Sequence, residues 1–334
     1  MRMAFVALVS LGVLISCSRE VNRNDWPTQS WPTASPVDQG VDEAVLSSLD
    51  AEFAAGKHGY VDGMLVIRNG DVIYEKSYSH DYDIPFRKMG QPSGIYNYYD
   101  PEWHPYYQRG PLHTMQSVTK SVTSALIGIA IGRGELPGVD FKILPYFDGM
   151  EIANLDDRKR AITLRDLLTM RAGFEWDESS VPYTDPKNSC AQMEQSEDWI
   201  QFVIDRPMAE DPGKVFVYNS GVSELLAHIL WKATGKQADD YAAEHLFGPL
   251  GISEYYWKRT PKGIPDTEGG LYLTARDLAK IGYLYLKDGI WEDQRILPQG
   301  WVTASLTPIT GPAGGFRASL KYGYQWWLNP YEGG

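Results

Sequence analysis

The chain has 334 residues, 43% of them hydrophobic, which is enough to fill the core of one large domain or two ordinary ones. Its formal net charge is -12 at pH 7, and no run of lysine or arginine is present to attract a phosphate backbone. The composition therefore indicates a globular protein and excludes a nucleic-acid partner.

The first residues are typical of an export signal. Arg2 is followed by an apolar stretch from Ala4 to Ile15, which is too short to span a bilayer as a permanent helix. The stretch ends in Leu-Ile-Ser-Cys, which resembles the bacterial lipoprotein signal in which the cysteine, here Cys17, becomes the lipidated first residue. An ordinary secretory peptide cut nearby is the alternative. We expect residues 1–17 to be a signal peptide and the protein to be lipid-anchored in the bacterial envelope, facing the periplasm.

The segment after the signal is polar and contains prolines, which favours a tether over residues 18–41 and a folded domain over residues 42–334. The chain has two cysteines, so no disulfide framework exists. If Cys17 carries lipid, Cys190 is a single thiol, which we interpret as structural.

A hairpin opens the folded part. Residues 64–67 and 72–74 have the pattern of strands, and they are joined at Asn69-Gly70, a dipeptide that accepts the positive φ of a tight turn. The irregular stretch 79–114 that follows is rich in tyrosine and tryptophan. It forms the wall of a substrate pocket or an insertion that packs its rings on the surface, and the sequence leaves both interpretations open.

The middle of the chain, about 117–250, is predicted to be helical. Apolar residues recur at helical spacing from Ser117 to about Arg133, on more than one face, which indicates a central, buried helix. Residues 162–170, 199–205 and 222–233 have similar patterns, bounded by capping or turn residues.

Ser117 and Lys120 carry the sharpest chemical signal. Three residues on a helix make about one turn, so the hydroxyl and the amine lie on the same face and can touch. A serine needs a neighbouring base to become a nucleophile, and a lysine can serve if burial disfavours its charged form. At the start of the helix, the N–H of Ser117 also points to where an oxyanion would form. The structural alternative is a capping serine beside a lysine that reaches to solvent.

Tyr218 is the second candidate. It lies in the segment 211–221, on a predicted turn ahead of a helix, where its hydroxyl can face an active site. A phenol beside a lysine cation loses its proton more readily and can act as a base or proton relay. A packed core tyrosine is the alternative.

Together the two motifs resemble the serine β-lactamase and penicillin-binding-protein superfamily, specifically its class C-like branch of esterases, DD-peptidases and 6-aminohexanoate-dimer hydrolase. The resemblance runs from about Trp31 to the last residue, and four blocks carry it: Met115–Lys120, Leu167–Met170, Phe247–Ile252 and Gly270–Leu278.

The resemblance implies an α/β (α+β) fold, in which an antiparallel sheet flanked by helices packs on an all-helical subdomain with the active site between them. It implies that a small-molecule amide or ester acylates Ser117, that Lys120 and Tyr218 shuttle the proton, and that no metal or cofactor is needed. A catalytically silent envelope binding protein of the same fold, and a true β-lactamase or DD-peptidase, are the rival hypotheses.

Two departures from the family pattern stand out. Tyr218 is followed by Asn219 and Ser220, as in some esterases, where the common motif has asparagine two residues after the tyrosine. The third motif, a Lys/His-x-Gly or glycine-rich strand, is not found, because Lys280-Ile281-Gly282 lies in a helical pattern. Glu175 invites comparison with a general-base glutamate of another β-lactamase class, but we interpret it as a solvated loop acid.

Neither a second catalytic triad nor a metal motif is predicted. His80, His104 and His113 suggest no triad, and no HExxH or CxxC spacing occurs. The chain ends shortly after an aromatic segment at 322–327 that, in the family, precedes the third-motif strand and a closing helix. We expect those C-terminal strands and that helix to be missing, which would leave a sheet edge uncovered.

Overall fold

The computed structural model describes residues 26–81, 111–309 and 320–329. Its α-helices are α1 (Glu43–Ala54), α2 (Thr119–Gly132), α3 (Asp157–Ala161), α4 (Leu164–Leu168), α5 (Ser189–Gln195), α6 (Trp199–Asp205), α7 (Gly221–Thr234), α8 (Ala238–Ala242), α9 (Gly248–Leu250), α10 (Ala275–Leu286) and α11 (Trp301–Leu306). Short 3-10 turns cover Val37–Gln39, Gln116–Val118 and Leu144–Phe147, and a π-helical turn covers Ala243–Phe247. Its strands are β1 (Gly63–Arg68), β2 (Asp71–Ser77), β3 (His113–Thr114), β4 (Tyr256–Trp257), β5 (Leu271–Leu273), β6 (Ile290–Trp291), β7 (Gln294–Arg295), β8 (Lys321–Tyr322) and β9 (Trp327–Leu328).

The strands pair antiparallel throughout the described part of the chain. β1 and β2 form the predicted hairpin, and Asn69 and Gly70 take φ values of 54° and 93° at its turn. β5 lies between β3 and β4, while β6 pairs with β7 and β8 with β9. The expected combination of antiparallel sheet and helices is therefore confirmed.

Helix α2 is the central element, as its apolar pattern predicts. All its residues from Thr119 to Ala130 are buried, and it packs against α7. Gly128 permits a close approach of α11, because a Cβ at this position would lie 2.5 Å from the Trp301 ring. Such tight packing fixes the helix whose first turn carries Lys120 and which directly follows the turn with Ser117.

The other helical predictions hold with small changes in their bounds. The predicted 162–170 segment contains α4, which begins with a capping box between Thr163 and Asp166. Helix α7 ends at Gly235, whose φ of 75° is left-handed. Lys280 lies inside α10, which confirms that Lys280-Ile281-Gly282 is helical and is not a third-motif strand. Glu175 is an exposed loop residue 3.7 Å from Arg206, as expected.

The segment 26–34 corrects the expected tether. Trp31 is 4% exposed, and its indole N–H donates to the Arg276 carbonyl at 2.9 Å. Val72 of β2 donates to Pro32 at 2.8 Å and accepts from Ala34 at 3.1 Å. The composition of residues 18–41 suggested a tether, but the apolar side chains within it pack on the domain, so the boundary at residue 41 is wrong for this part.

The loop between β8 and β9 is tied to the helical core through Gln325. This residue has a φ of 61° and is buried. Its backbone N–H donates to Leu168 at 2.9 Å, its carbonyl accepts from Ser121 at 2.7 Å, and its side chain accepts from Ser223 at 2.9 Å. The aromatic hairpin is thereby held against α2, α4 and α7.

Two predictions fall on residues outside this description. Residues 1–25, with Cys17, and residues 82–110, with most of the aromatic stretch and His104, are not among the described residues. Within 26–81, 111–309 and 320–329, no helix is long and apolar enough to cross a bilayer.

Candidate active site

Ser117 lies in the 3-10 turn that leads into α2. The preceding Gln116 has a φ of 46°, a left-handed conformation that side chains other than glycine rarely adopt. Ser117 itself is exposed, whereas Lys120 is 1% exposed. The Lys120 Nζ lies 3.1 Å from the Ser117 Oγ, so the predicted contact along one helical turn is present.

Lys120 has a second partner that the sequence did not reveal. Its Nζ donates to the carbonyl oxygen of Glu268 at 2.6 Å and to the Oε2 of the same residue at 3.0 Å. Glu268 is 7% exposed and lies in the loop just before β5. The lysine is therefore held between a nucleophile candidate and a buried carboxylate.

Tyr218 completes the cluster. It is 6% exposed, and the centre of its ring lies 5.4 Å from the Lys120 Nζ. A hydrogen bond joins its side chain to that of Ser117. The ring stacks on Trp327 at a centroid distance of 5.3 Å and meets Tyr322 edge-on, so the β8–β9 hairpin fixes its position. The structure thus brings together the three residues that the sequence singled out.

Glu178 holds the tyrosine motif in place by accepting hydrogen bonds from Ser220 and its neighbours. Its Oε2 accepts from the backbone N–H of Ser220 at 2.7 Å and from the indole of Trp176 at 2.6 Å. Its Oε1 accepts from the hydroxyls of Ser220 and Tyr183, both at 2.9 Å. Burial raises the pKa of Glu178, and the nearby Lys120 charge offsets part of that rise. Four donors explain how a carboxyl is accommodated in the core.

Further buried acids, Glu194, Glu224 and Asp266, lie near Glu268 and together form an acidic wall. Burial raises the pKa of Glu224 well above its ordinary value, and it raises the pKa of Asp266 as well. Lys258 lies 3.2 Å from Asp266 and 3.9 Å from Glu194. The group also includes Cys190, whose sulfur lies 3.9 Å from the Glu268 Oε1.

Cys190 is buried, and burial raises the pKa of its thiol well above the ordinary value, which keeps it protonated. Its sulfur and one carboxylate oxygen each of Glu194 and Glu268 lie within 4.8 Å of one another. The ammonium groups of Lys120 and Lys258 already face these two carboxylates, so protein cations offset the local negative charge.

A cavity of about 200 Å³ opens beside the cluster. It is lined by residues that flank the nucleophile or belong to the acidic wall: Thr114, Gln116, Tyr183, Cys190, Glu194, Lys258, Asp266, Glu268, Gly269 and Tyr272. A small substrate in this cavity would lie next to the residue that precedes Ser117 and to the carboxylate that holds Lys120.

The electrostatics of Lys120 correct one step of the sequence argument. Burial alone lowers its pKa, as expected, but the Tyr218 oxygen and the carboxylates of Glu268 and Glu178 outweigh burial. The pKa of Lys120 is therefore well above its ordinary value, and the resting side chain is an ammonium. Burial raises the pKa of Tyr218 too, and the Lys120 charge only partly counters it.

Sequence reasoning missed Glu178 and Glu268. Glu268 is 148 positions from Lys120 in the chain, so no local spacing links them. The sequence does hold one signal for Glu268. Asp266 and Glu268 stand directly before Gly269 and the family-like block Gly270–Leu278. Acids and glycines before a strand that reaches the active site are candidates for lining it.

The model of the Beta-lactamase family matches residues 49–334. The chain belongs to this family. A relative within it is the 6-aminohexanoate-dimer hydrolase of Paenarthrobacter ureafaciens, which is 24% identical over 257 residues, 69% of this chain and 62% of that protein. The chain thus spans about three fifths of the length of this relative.

Solved structures show the same family fold. The octameric penicillin-binding protein homologue from Pyrococcus abyssi has a TM-score of 0.58 and 20% identity, covering 86% of this chain and 65% of that one. EstCE1, a hydrolase with promiscuous acyltransferase activity, has a TM-score of 0.63 and 16% identity, covering 85% of this chain and 83% of that one. At these identities the likeness establishes the β-lactamase fold alone.

Proposed function

We propose that this Beta-lactamase family member is a serine hydrolase that cleaves an amide or ester through an acyl-enzyme. The observation that carries the proposal is the 3.1 Å contact between the Lys120 Nζ and the Ser117 Oγ, beside a cavity of about 200 Å³. A nucleophile within hydrogen-bond reach of a base, with that base held by further groups, is the arrangement that covalent catalysis requires.

The proposed first step forms a bond from the Ser117 Oγ to the substrate carbonyl carbon. Because both groups rest protonated, the Lys120–Tyr218 pair first loses one proton to solvent and then takes the hydroxyl proton. The carbonyl π electrons move onto oxygen, where the Ser117 N–H can stabilise the negative charge. Collapse of this intermediate breaks the bond to the alcohol or amine, which leaves with a proton from the same pair. Water, giving a proton to the same pair, then attacks the acyl-enzyme. The bond from the carbonyl carbon to the Ser117 Oγ breaks, the acid leaves, and Ser117 regains its proton from the pair.

The Tyr-Asn-Ser motif favours an ester or linear amide over a β-lactam. The family pattern has an asparagine amide where this chain has Ser220, and both the N–H and the hydroxyl of Ser220 are directed at Glu178. Neither group is therefore presented to a substrate amide at this position. This difference is the support for the proposed substrate class.

Labelling with a fluorophosphonate, followed by peptide mass analysis, tests the proposal. We expect an adduct on Ser117 in the wild type and none in S117A. A panel of nitrocefin, short-chain nitrophenyl esters and linear amides then tests the substrate class, with turnover of esters or linear amides expected. No adduct and no turnover would instead favour a catalytically silent binding protein.

We also propose that the protein is exported and anchored by lipid on Cys17. The support is the sequence pattern of residues 1–17, a charged start and a short apolar run that ends in Leu-Ile-Ser-Cys. C17S should release the protein from the membrane fraction, because an acyl anchor depends on that one sulfur. Unchanged fractionation, with an uncut N-terminus seen by mass spectrometry, would contradict this proposal.

A further inference from the structure

Glu268 occupies two of the three directions in which the Lys120 Nζ can form hydrogen bonds. Its carbonyl oxygen lies at 2.6 Å and its Oε2 at 3.0 Å, and the third direction ends at the Ser117 Oγ, 3.1 Å away. An ammonium would donate to all three oxygens. A neutral amine would keep two N–H donors on Glu268 and direct its lone pair at Ser117.

The loop that carries Glu268 is itself fixed. The Glu268 N–H donates to Glu224 at 2.9 Å, and the Gly269 N–H donates to Asp266 at 2.9 Å. Glu268 is buried, and its Oε1 faces Cys190. Because the acceptors are held in place before any substrate binds, the direction of the Lys120 side chain is set in advance.

We infer that Glu268 is the positioning residue of a Ser117–Lys120–Glu268 relay, which aims the Lys120 nitrogen at the nucleophile and stabilises the ammonium that forms when Lys120 takes the serine proton. This inference rests on the proposed serine hydrolase function. A nucleophile, a base and a third group that orients the base is the general logic of catalytic triads.

Other charged and titratable groups surround the relay. Tyr218, Glu178 and Cys190 also face Lys120, but among the described residues only Glu268 is within hydrogen-bond distance of Nζ through a carboxylate.

Glu268 also has charged neighbours of its own. They comprise the acids of the wall and the second lysine: Glu194, Glu224, Lys258 and Asp266. Burial raises the pKa of Glu268, but the charge and hydrogen bond of Lys120 outweigh burial, and the resulting pKa is below the ordinary value. Glu268 is therefore ionised at neutral pH, and its carboxylate contacts the Lys120 ammonium directly.

The relay predicts a defined pH dependence. Lys120 acts as a base only after losing a proton, and its pKa is raised, so the rate of acylation should rise with pH above neutrality. Removing the Glu268 charge lowers the pKa of Lys120 and moves this rise to lower pH. The plateau rate should fall at the same time, because the newly formed ammonium loses its counter-charge.

The test measures the second-order rate of fluorophosphonate labelling of Ser117 against pH in the wild type, E268Q, E268D and the control E175Q, which changes an exposed carboxylate. For E268Q we expect a midpoint lower by about one pH unit or more and a plateau lower by about tenfold or more. E268D keeps the charge but withdraws the carboxylate from the Lys120 Nζ, so its plateau should fall and its midpoint should move down by less than that of E268Q. E175Q should superimpose on the wild type.

The outcomes separate the two proposals. A wild type that is not labelled at Ser117 refutes the proposed function. A labelled wild type whose midpoint is unchanged in E268Q refutes the relay, even if the plateau falls, because a purely structural role would lower the rate without moving the midpoint. If thermal melting shows that E268Q is unfolded, the midpoint of E268D decides: a midpoint below that of the wild type supports the relay, and a wild-type midpoint refutes it, whatever the plateau.

Discussion

Replacing Lys120 with methionine should destabilise the fold as well as abolish activity. The variant keeps an unbranched side chain of similar length in α2 but removes the ammonium that faces Glu268 at 3.0 Å. Glu268 then keeps a buried carboxylate and a buried carbonyl without their donor. Breaking a buried pair by removing one partner costs about 3–5 kcal/mol of unfolding free energy. In a chain of this size that loss corresponds to a fall in melting temperature of roughly 4–7 °C.

The size of this loss should depend on pH. The pKa of Glu268 in the wild type is below its ordinary value of 4.5, so its stabilising contribution is present above pH 4.5 and is lost as the pH falls through the lowered pKa. In K120M the largest influence that opposes burial is gone and only weaker ones, such as the Lys258 charge, remain, so the pKa of Glu268 rises and the carboxyl becomes neutral at a higher pH. The gap in stability between wild type and variant should therefore be largest near pH 7 and shrink toward pH 4.

Differential scanning calorimetry of wild type, K120M and the double variant K120M/E268Q at pH 7, 5.5 and 4 measures both effects. The double variant removes both charges and should recover more than half of the lost melting temperature at pH 7. A K120M melting temperature within about 1 °C of wild type at pH 7, or a gap of constant size down to pH 4, would refute the buried pair as described.

Three further predictions concern the site and its support. Y218F should lower turnover by about a hundredfold or more while leaving the melting temperature nearly unchanged, since the ring stack is kept; a wild-type rate would exclude Tyr218 from proton transfer. G128A should cost about 1–3 kcal/mol of unfolding free energy, because its Cβ would lie 2.5 Å from Trp301. The matched helix variant G282A, whose Cβ would have nothing within 4 Å, should be neutral or stabilising. Equal effects of the two variants in chemical denaturation would contradict the packing. W31A should lower the unfolding free energy by about 3–5 kcal/mol. A loss below about 0.5 kcal/mol would show that residues 26–34 behave as a tether.

The parts of the site that lie close together in the chain could be predicted, and the rest could not. Ser117 and Lys120 meet because one helical turn separates them, a relation that the sequence shows directly. Tyr218 was found through its motif. Glu268 reaches Lys120 only after the chain folds, so helical spacing carries no information about it.

The same distinction explains the pKa of Lys120 and the boundary of the domain. Apolar neighbours in α2 predicted a lowered pKa for the lysine, but the Tyr218 oxygen and carboxylates from distant loops reverse it. The polar and proline-bearing composition around Trp31 predicted a tether, but its indole bonds to Arg276, 245 positions further along the chain. Local pattern gives secondary structure, while tertiary contacts set protonation and boundaries.

The central claim is that Ser117 carries the acyl group during turnover. Rapid acid quenching of the wild type during hydrolysis of a nitrophenyl ester, followed by intact-mass and peptide mass analysis, measures this directly. We expect a mass increase equal to the acyl group, located on the peptide that contains Ser117 and absent from S117A. Ester turnover with the acyl group on another residue, or turnover by S117A at the wild-type rate, would contradict the account.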